Sequence, residues 1–170
     1  MSGNAEGGAR LRLRPPRNEV DPRAVRWWRA GLALLFGVPV LVLVALAIFL
    51  AGARLWLLVP AAILLVVGAV AAALLPLWWF RVHRWEITGE AVYTRTGFFW
   101  QEWRVAPMSR IQTVDTQRGP LEQFFGLATV TVTTASAKGA VTVPGLDHEL
   151  AAELAQQLTE STQATPGDAT

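Results

Sequence analysis

The side chains able to do chemistry are few and scattered. The chain has two histidines, His83 and His148, and no cysteine. His83 follows a long apolar run and reads as an interfacial polar residue. His148 falls in the first turn of the last amphipathic segment and reads as solvated. A metal centre needs His or carboxylate ligands gathered at fixed spacing; neither histidine has such a partner, so no metal is expected. Ser109 and Ser136 stand in turns without the surroundings of an activated nucleophile, since no G-x-S-x-G or S-x-x-K pattern frames them. Glu86, Glu90 and Glu102 fall on short strands as alternating surface positions. Gly7-Gly8 lacks the Lys-Ser/Thr that a phosphate loop requires. The expectation is a non-enzyme with no catalytic residue and no cofactor.

What remains is binding. Arg95, Arg104, Arg110 and Arg118 mark the second half of the chain. Arg104, Arg110 and Arg118 are candidates for contact with an anionic lipid or an acidic partner. The plainer alternative is a dispersed surface with Glu102, Asp115 and Glu122 as counter-charges. Phe124 and Phe125 form the other candidate: an exposed apolar anchor, or, as the plainer reading, two core residues closing the mouth of a sheet.

The elements that must hold these residues begin with an apolar block. Of 170 residues, 52% are hydrophobic and 16% charged, against about 25% charged in a typical soluble domain. From Gly31 to Phe80 the only charge is Arg54. A bilayer core of roughly 30 Å needs about 20 apolar helical residues. Residues 30–53 and 55–80 therefore read as two transmembrane helices joined near Gly52–Arg54, with Pro39, Pro60 and Pro76 tolerated inside them. A cleaved signal peptide is disfavoured, although Ala51-Gly52-Ala53 looks like a cleavage site, because the leader and its apolar core are both too long. The spans hold no ionisable residue in their interior, which argues against a pump or transporter acting alone.

Arginine placement orients the hairpin. Arg23, Arg26 and Arg29 precede the first span, Arg81 and Arg84 follow the second, and only Arg54 lies between. An excess of basic residues marks the cytoplasmic side, so both termini are expected in the cytoplasm of a multi-pass protein of the inner or plasma membrane. Trp27, Trp28, Trp78 and Trp79, with Arg81 and Arg84, are the expected membrane-interface anchors, and Trp85 is counted with them. Residues 1–84 carry ten Arg against three acids, whereas residues 85–170 carry five basic residues against ten acids. The basic half lies beside the spans, so membrane topology explains it and nucleic acid is not expected as a partner. Residues 1–29 read as a flexible basic tail, in which Arg10, Arg12 and Arg14 suit an edge strand but Pro15-Pro16 argues against one.

From residue 82 the pattern changes to alternation. VHRWEIT, AVYTRTG and FFWQEWRV read as short strands, with Gly89-Glu90 as a two-residue turn. In ATVTVTT, Ala128, Val130 and Val132 point one way and Thr129, Thr131 and Thr133 the other, as in a sheet with one wet face. LEQFFG suits one helical turn closed by Gly126, and Lys138-Gly139 a turn into a last strand. Asp147 is a good N-cap. Leu146, Leu150, Leu154 and Leu158, with Ala151 and Ala155, predict an amphipathic helix covering the sheet.

Arg81 to Glu160 resembles the bacterial pleckstrin-homology-like (PH-like) domain of small membrane proteins. The resemblance rests on P-x-S-R-I-Q at Pro107–Gln112, Q-R-G-P-L at Gln117–Leu121, F-G-L-A-T-V at Phe125–Val130 and the later VPGLDHELAAELAQQL, and extends to the two spans just before the domain. It implies an α+β fold: a curled antiparallel sheet or barrel of six to seven strands, capped by a C-terminal helix. It implies no reaction. The lipid sites of eukaryotic relatives use basic residues between the first two strands; Gly89-Glu90 offers an acid and no base there, so phosphoinositide binding is not carried over.

The expected organisation is therefore a tail (1–29), two spans (30–53 and 55–80), a PH-like domain (81–160) and a disordered tail (161–170). The expected function is a membrane-anchored interaction or assembly module at the cytoplasmic face, with the lipid bilayer and a membrane-associated protein as partners. The alternative is an accessory subunit of a transport or envelope-stress system, with the hairpin as contact surface. Self-association stays open, since PH-like domains have exposed strand edges.

Overall fold

The computed structural model describes residues 16–97, 100–135 and 139–164, with side chains to residue 161. Arg10, Arg12, Arg14, Ser136, Lys138 and the end of the C-terminal tail lie outside them.

Two long helices form the hairpin, α1 (Arg23–Phe49) and α2 (Arg54–Val82). At 1.5 Å per residue each is about 40 Å long, enough for a bilayer core of roughly 30 Å plus a turn or two beyond it. Their outer faces are apolar and exposed, as at Leu35, Leu41, Ile48, Leu55 and Val66. A soluble core helix would bury that surface, so lipid is the solvent these faces require. Small residues bring the helices together: a Cβ on Gly68 would sit 2.5 Å from the Cβ of Phe36. At the hairpin tip a single turn over Ala51–Ala53 reverses the chain, and Arg54 Nε donates to the carbonyl of Ala47, one of the last acceptors of α1.

The second half, joined by one strand from before the hairpin, folds into two antiparallel sheets. One has the order β1-β2-β3-β4, comprising β1 (Asn18–Glu19), β2 (Arg84–Ile87), β3 (Ala91–Gly97) and β4 (Gln101–Pro107). The other has the order β5-β6-β7, comprising β5 (Ile111–Gln117), β6 (Leu127–Thr134) and β7 (Val141–Asp147). They do not close into one barrel. A short helix α3 (Pro120–Phe125) links β5 to β6, and α4 (His148–Ala164) packs across the second sheet. The core between the layers is formed by Val92, Leu127, Val130, Val132, Leu146 and Leu158, all fully buried. As read from the sequence, Ala128, Val130 and Val132 of β6 face inward while the alternate threonines are half-exposed.

Local chemistry sets the turns. Thr88 N–H donates to the carbonyl of Ala91 at 3.0 Å, and the Thr88 hydroxyl accepts from the N–H of Ala91 and Glu90. The β2–β3 link is the expected Gly89-Glu90 pair, but the threonine closes it and Gly89 has no positive φ. The Pro107–Gln112 motif is the corner between the sheets: one turn over Met108–Arg110 buries Met108, whose N–H donates to the Glu90 carbonyl at 2.9 Å. In Gln117–Leu121, Pro120 starts α3 with its fixed φ, and the buried Glu122 carboxylate accepts from Gly119 N–H and the Thr129 hydroxyl, both at 2.6 Å. Gly126 ends α3 with φ 68°, a left-handed cap that favours glycine.

Three expectations change. Asn18–Glu19 is a strand and α1 begins at Arg23, so ordered structure starts well before residue 29. The Asp21 carboxylate accepts the Arg23 N–H at 2.7 Å beside Pro22, which starts the helix there. Leu146 belongs to β7, so the inner stripe of α4 is Ala151, Leu154 and Leu158, with Leu150 at its exposed rim. The same helix continues past residue 160 to Ala164.

Candidate functional site

The strongest constellation is the junction between the hairpin and the domain. The segment before α1 is built into the domain: Pro16, Val20 and Ala24 are buried, and β1 pairs with β2 through Asn18↔Trp85 and Glu19↔Arg84. Trp85 Nε1–H donates to the Glu19 carbonyl at 3.1 Å, and Arg84 pairs with the Glu19 carboxylate at 2.8 Å. At the far end of β7, Asp21 N–H donates to the Gly145 carbonyl at 2.9 Å. Arg23 binds the Asp21 carboxylate through Nε and Nη2 at 3.0 Å and reaches Asp147 with Nη2. Asp147 also accepts the N–H groups of Glu149 and Leu150, so it caps α4 as expected while holding α1. α1 and α2 thus enter the same folded body.

Aromatic rings fill the gap between the helix ends. Trp28 stacks on Trp27 at 5.9 Å and meets Trp79 edge-on at 5.7 Å and His83 at 5.4 Å. His83 Nδ1 lies 2.9 Å from the Trp79 carbonyl; a carbonyl only accepts, so Nδ1 carries the proton. Trp78 is half-exposed and Arg81 exposed, whereas Trp85 is buried in the domain core. Trp85 is therefore no interface anchor: its indole is taken up by β1.

Charge at this junction responds to acid. The Arg23 guanidinium holds the Asp21 and Asp147 carboxyls below the usual carboxylate range. Burial lowers the His83 pKa from 6.5. All three shifts make the unfolded chain bind more protons than the folded one, so stability is lost as pH falls. The His83 contribution is complete above pH 6.5 and wanes below it; that of the aspartates is complete above about pH 4 and wanes below that. Stability against unfolding in detergent should fall in these two stages as pH is lowered, and His83→Gln should remove the upper one. An unchanged slope below pH 6.5 in that variant would show that His83 does not cause it.

The candidate arginines do not form one patch. Arg104 Nε pairs with Glu102 at 2.8 Å, and its Nη1 donates to the Ala140 carbonyl at 2.8 Å, linking β4 to the start of β7. Arg104 and Ala140 line an open cleft of about 250 Å3, together with Thr94, Thr96 and Thr142 among others. Arg118 Nε donates to the Leu127 carbonyl at 3.1 Å and holds the α3 loop. Arg110 is exposed at the corner before β5. Arg110 and Arg118 flank opposite ends of that seven-residue strand, about 26 Å apart along it. The two phenylalanines also divide. Phe125 packs against the core, whereas Phe124 is 82% exposed, its ring edge-on to Phe125 at 5.1 Å. The reading of both as core residues fails at Phe124. Among the described residues no group of three or more His, Asp or Glu is gathered as metal ligands would be.

A helical hairpin of two apolar spans carrying two antiparallel sheets and a C-terminal helix defines a membrane-associated PH-like protein. Residues 30–162 match the bacterial PH domain family, and the chain belongs to that family. It is 28% identical over 162 residues to the transmembrane protein YdbS of Bacillus subtilis (strain 168), covering 90% of this chain and 97% of that protein. No solved structure matches.

Proposed function

We propose that the protein is a non-enzymatic interaction module held at the cytoplasmic face of a bacterial membrane, with both termini on that side. The observation that carries this reading is the junction: ordered backbone and ion pairs join both helices to the domain, so the domain presents a fixed face. A module confined to the membrane meets membrane-bound partners at raised effective concentration, and a fixed orientation lowers the entropy lost on contact.

The contact surface runs along β5 to Phe124. Among the described residues β5 pairs with β6 alone, leaving its other edge for strand addition by a partner segment. Gln112, Thr113, Asp115, Thr116 and Gln117 are exposed along it. β5 leads into α3, which packs on α1, so Phe124 stands at the membrane end of this edge. A photo-reactive residue at Thr116 or at Phe124, in the full-length protein in native membranes, should capture the same heterologous membrane protein, and Phe124→Ser should cut the Thr116 yield several-fold. Capture of that protein only from positions on the spans would reject the β5 face.

That last outcome belongs to a second reading, an accessory subunit contacting its partner through the hairpin. An apolar groove of about 200 Å3 between α1 and α2, lined by Leu32, Phe36, Leu65 and Gly68 among others, supports it. Replacing both spans with unrelated ones separates the readings: activity that survives resides in the domain.

A further inference from the structure

Trp100 is 88% exposed, more than any other large apolar side chain among the described residues. Its neighbours in this ranking, Trp56 and Phe49, belong to the membrane hairpin; Trp100 belongs to the sheet domain, at the turn from β3 to β4. The strand register says where that turn lies. β2 begins at Arg84, two residues after α2 ends. β3 returns antiparallel, with Arg95 opposite Arg84, and then continues to Gly97, which pairs with Gln101. The turn therefore overshoots the start of β2 by two residues, about 7 Å, back toward the helix. His83 and Thr94, Arg95 and Thr96 line one small recess, so this end of β3 lies against the end of α2. Those two strand residues offset the two-residue step from Val82, where α2 ends, to Arg84, so the tip reaches back to the end of the helix. Trp100 is thereby returned to the level of the aromatic residues at the exit of the span.

The end of β3 at Gly97 is fixed by a close backbone approach. Gly97 has φ 134°, and a Cβ there would lie 1.9 Å from the Trp100 carbonyl oxygen, so only glycine fits. Behind it, the Arg95 guanidinium lies over the Trp103 ring at 5.5 Å. A tryptophan at a tip suits a lipid headgroup boundary, where the ring body meets apolar chains and its N–H meets water and headgroups.

We propose that Trp100 is a third membrane contact of this protein, seated in the headgroup region of the bilayer that α1 and α2 cross. The two spans fix the domain at one end; Trp100 fixes its tilt. The site is separate from the β5 edge and does not depend on any protein partner.

The absence of native cysteine allows a direct test. Trp100→Cys, Trp78→Cys and Gln112→Cys are each spin-labelled in the full-length protein in phosphatidylethanolamine–phosphatidylglycerol vesicles. At position 100, lipid-dissolved oxygen should relax the label several-fold more than a water-soluble nickel chelate, as at position 78, and the ratio should reverse at position 112, exposed at the end of β5 away from α3. A ratio at position 100 equal to that at 112 would overturn the proposal, as would shielding from both agents, which signals contact with another protein or a second copy. Should the labelled protein fail to fold, Trp100→Phe serves instead: brominated lipid should quench a smaller fraction of its tryptophan emission than of the wild type, and an equal or larger fraction would refute the contact.

Discussion

Trp85→Ala should cost about 3–5 kcal/mol of domain stability, the range for removing a buried large aromatic. The indole is 7% exposed within the core, and its N–H donates to the Glu19 carbonyl. Removing it empties the site between β1 and β2 and deprives the two-residue strand β1 of a side-chain donor. The loss should spread to the segment leading into α1, because Val20 and Ala24 pack in the same cluster. Hydrogen exchange in detergent would read both effects: faster exchange in β2 and β3, and faster still over residues 18–24. The position separates two roles for a tryptophan just past a span. An interfacial anchor would lose membrane affinity and leave the sheet intact. A core residue loses the sheet and leaves the spans inserted. Unchanged exchange in β2 would place the indole outside the core.

Trp85 also shows where the sequence stopped being informative. A tryptophan five residues beyond the apolar run that ends at Phe80 satisfies the composition rule for an aromatic belt, and nothing in its local sequence separates belt from core. The decision is made by Glu19, which is distant in the chain and adjacent only through strand pairing. β1 itself is two residues long, too short for any periodicity. The start of α1 was legible in principle: Asp21-Pro22 is a helix-start signal, masked by the arginines around it. By contrast, β6 and the spans were readable because their patterns are long and strict. The stripe of α4 was read one turn too far, since leucine spacing cannot distinguish a helix from the buried strand that precedes it. Arginines close in sequence need not form a patch, and β5 carries Arg110 and Arg118 to its two ends. Phe124 and Phe125 are neighbours on a helix of six residues, and neighbours on a helix point about 100° apart, so one could be buried and the other not.

Gly145→Val should release the domain from α1. Gly145 has φ 69°, and a Cβ there would lie 2.9 Å from the Cβ of Ala24 and 3.8 Å from the Trp27 ring. The left-handed conformation costs a residue with a Cβ about 1–2 kcal/mol, and forcing methyls into a packed contact adds about 1–3 kcal/mol. The two causes can be separated. Gly145→Ala brings the conformational cost and one methyl of overlap. Ala24→Gly removes the atom that this methyl meets, and leaves the φ untouched. In a double-mutant cycle the pair should therefore recover the steric part of the loss, about 1–2 kcal/mol of coupling, while the conformational part persists. Additive losses would mean that α1 does not press on β7. The functional consequence follows from geometry. The Asp21–Gly145 and Arg23–Asp147 bonds lie on either side of this contact, so moving α1 off β7 strains both, and the chain then enters the membrane through a loosened link. A module that works by presenting a fixed face should lose cross-linking at Thr116 and Phe124 in Gly145→Val while β5, β6 and α4 keep their exchange protection. Retained capture at both positions would show that confinement to the membrane, without a fixed orientation, is sufficient.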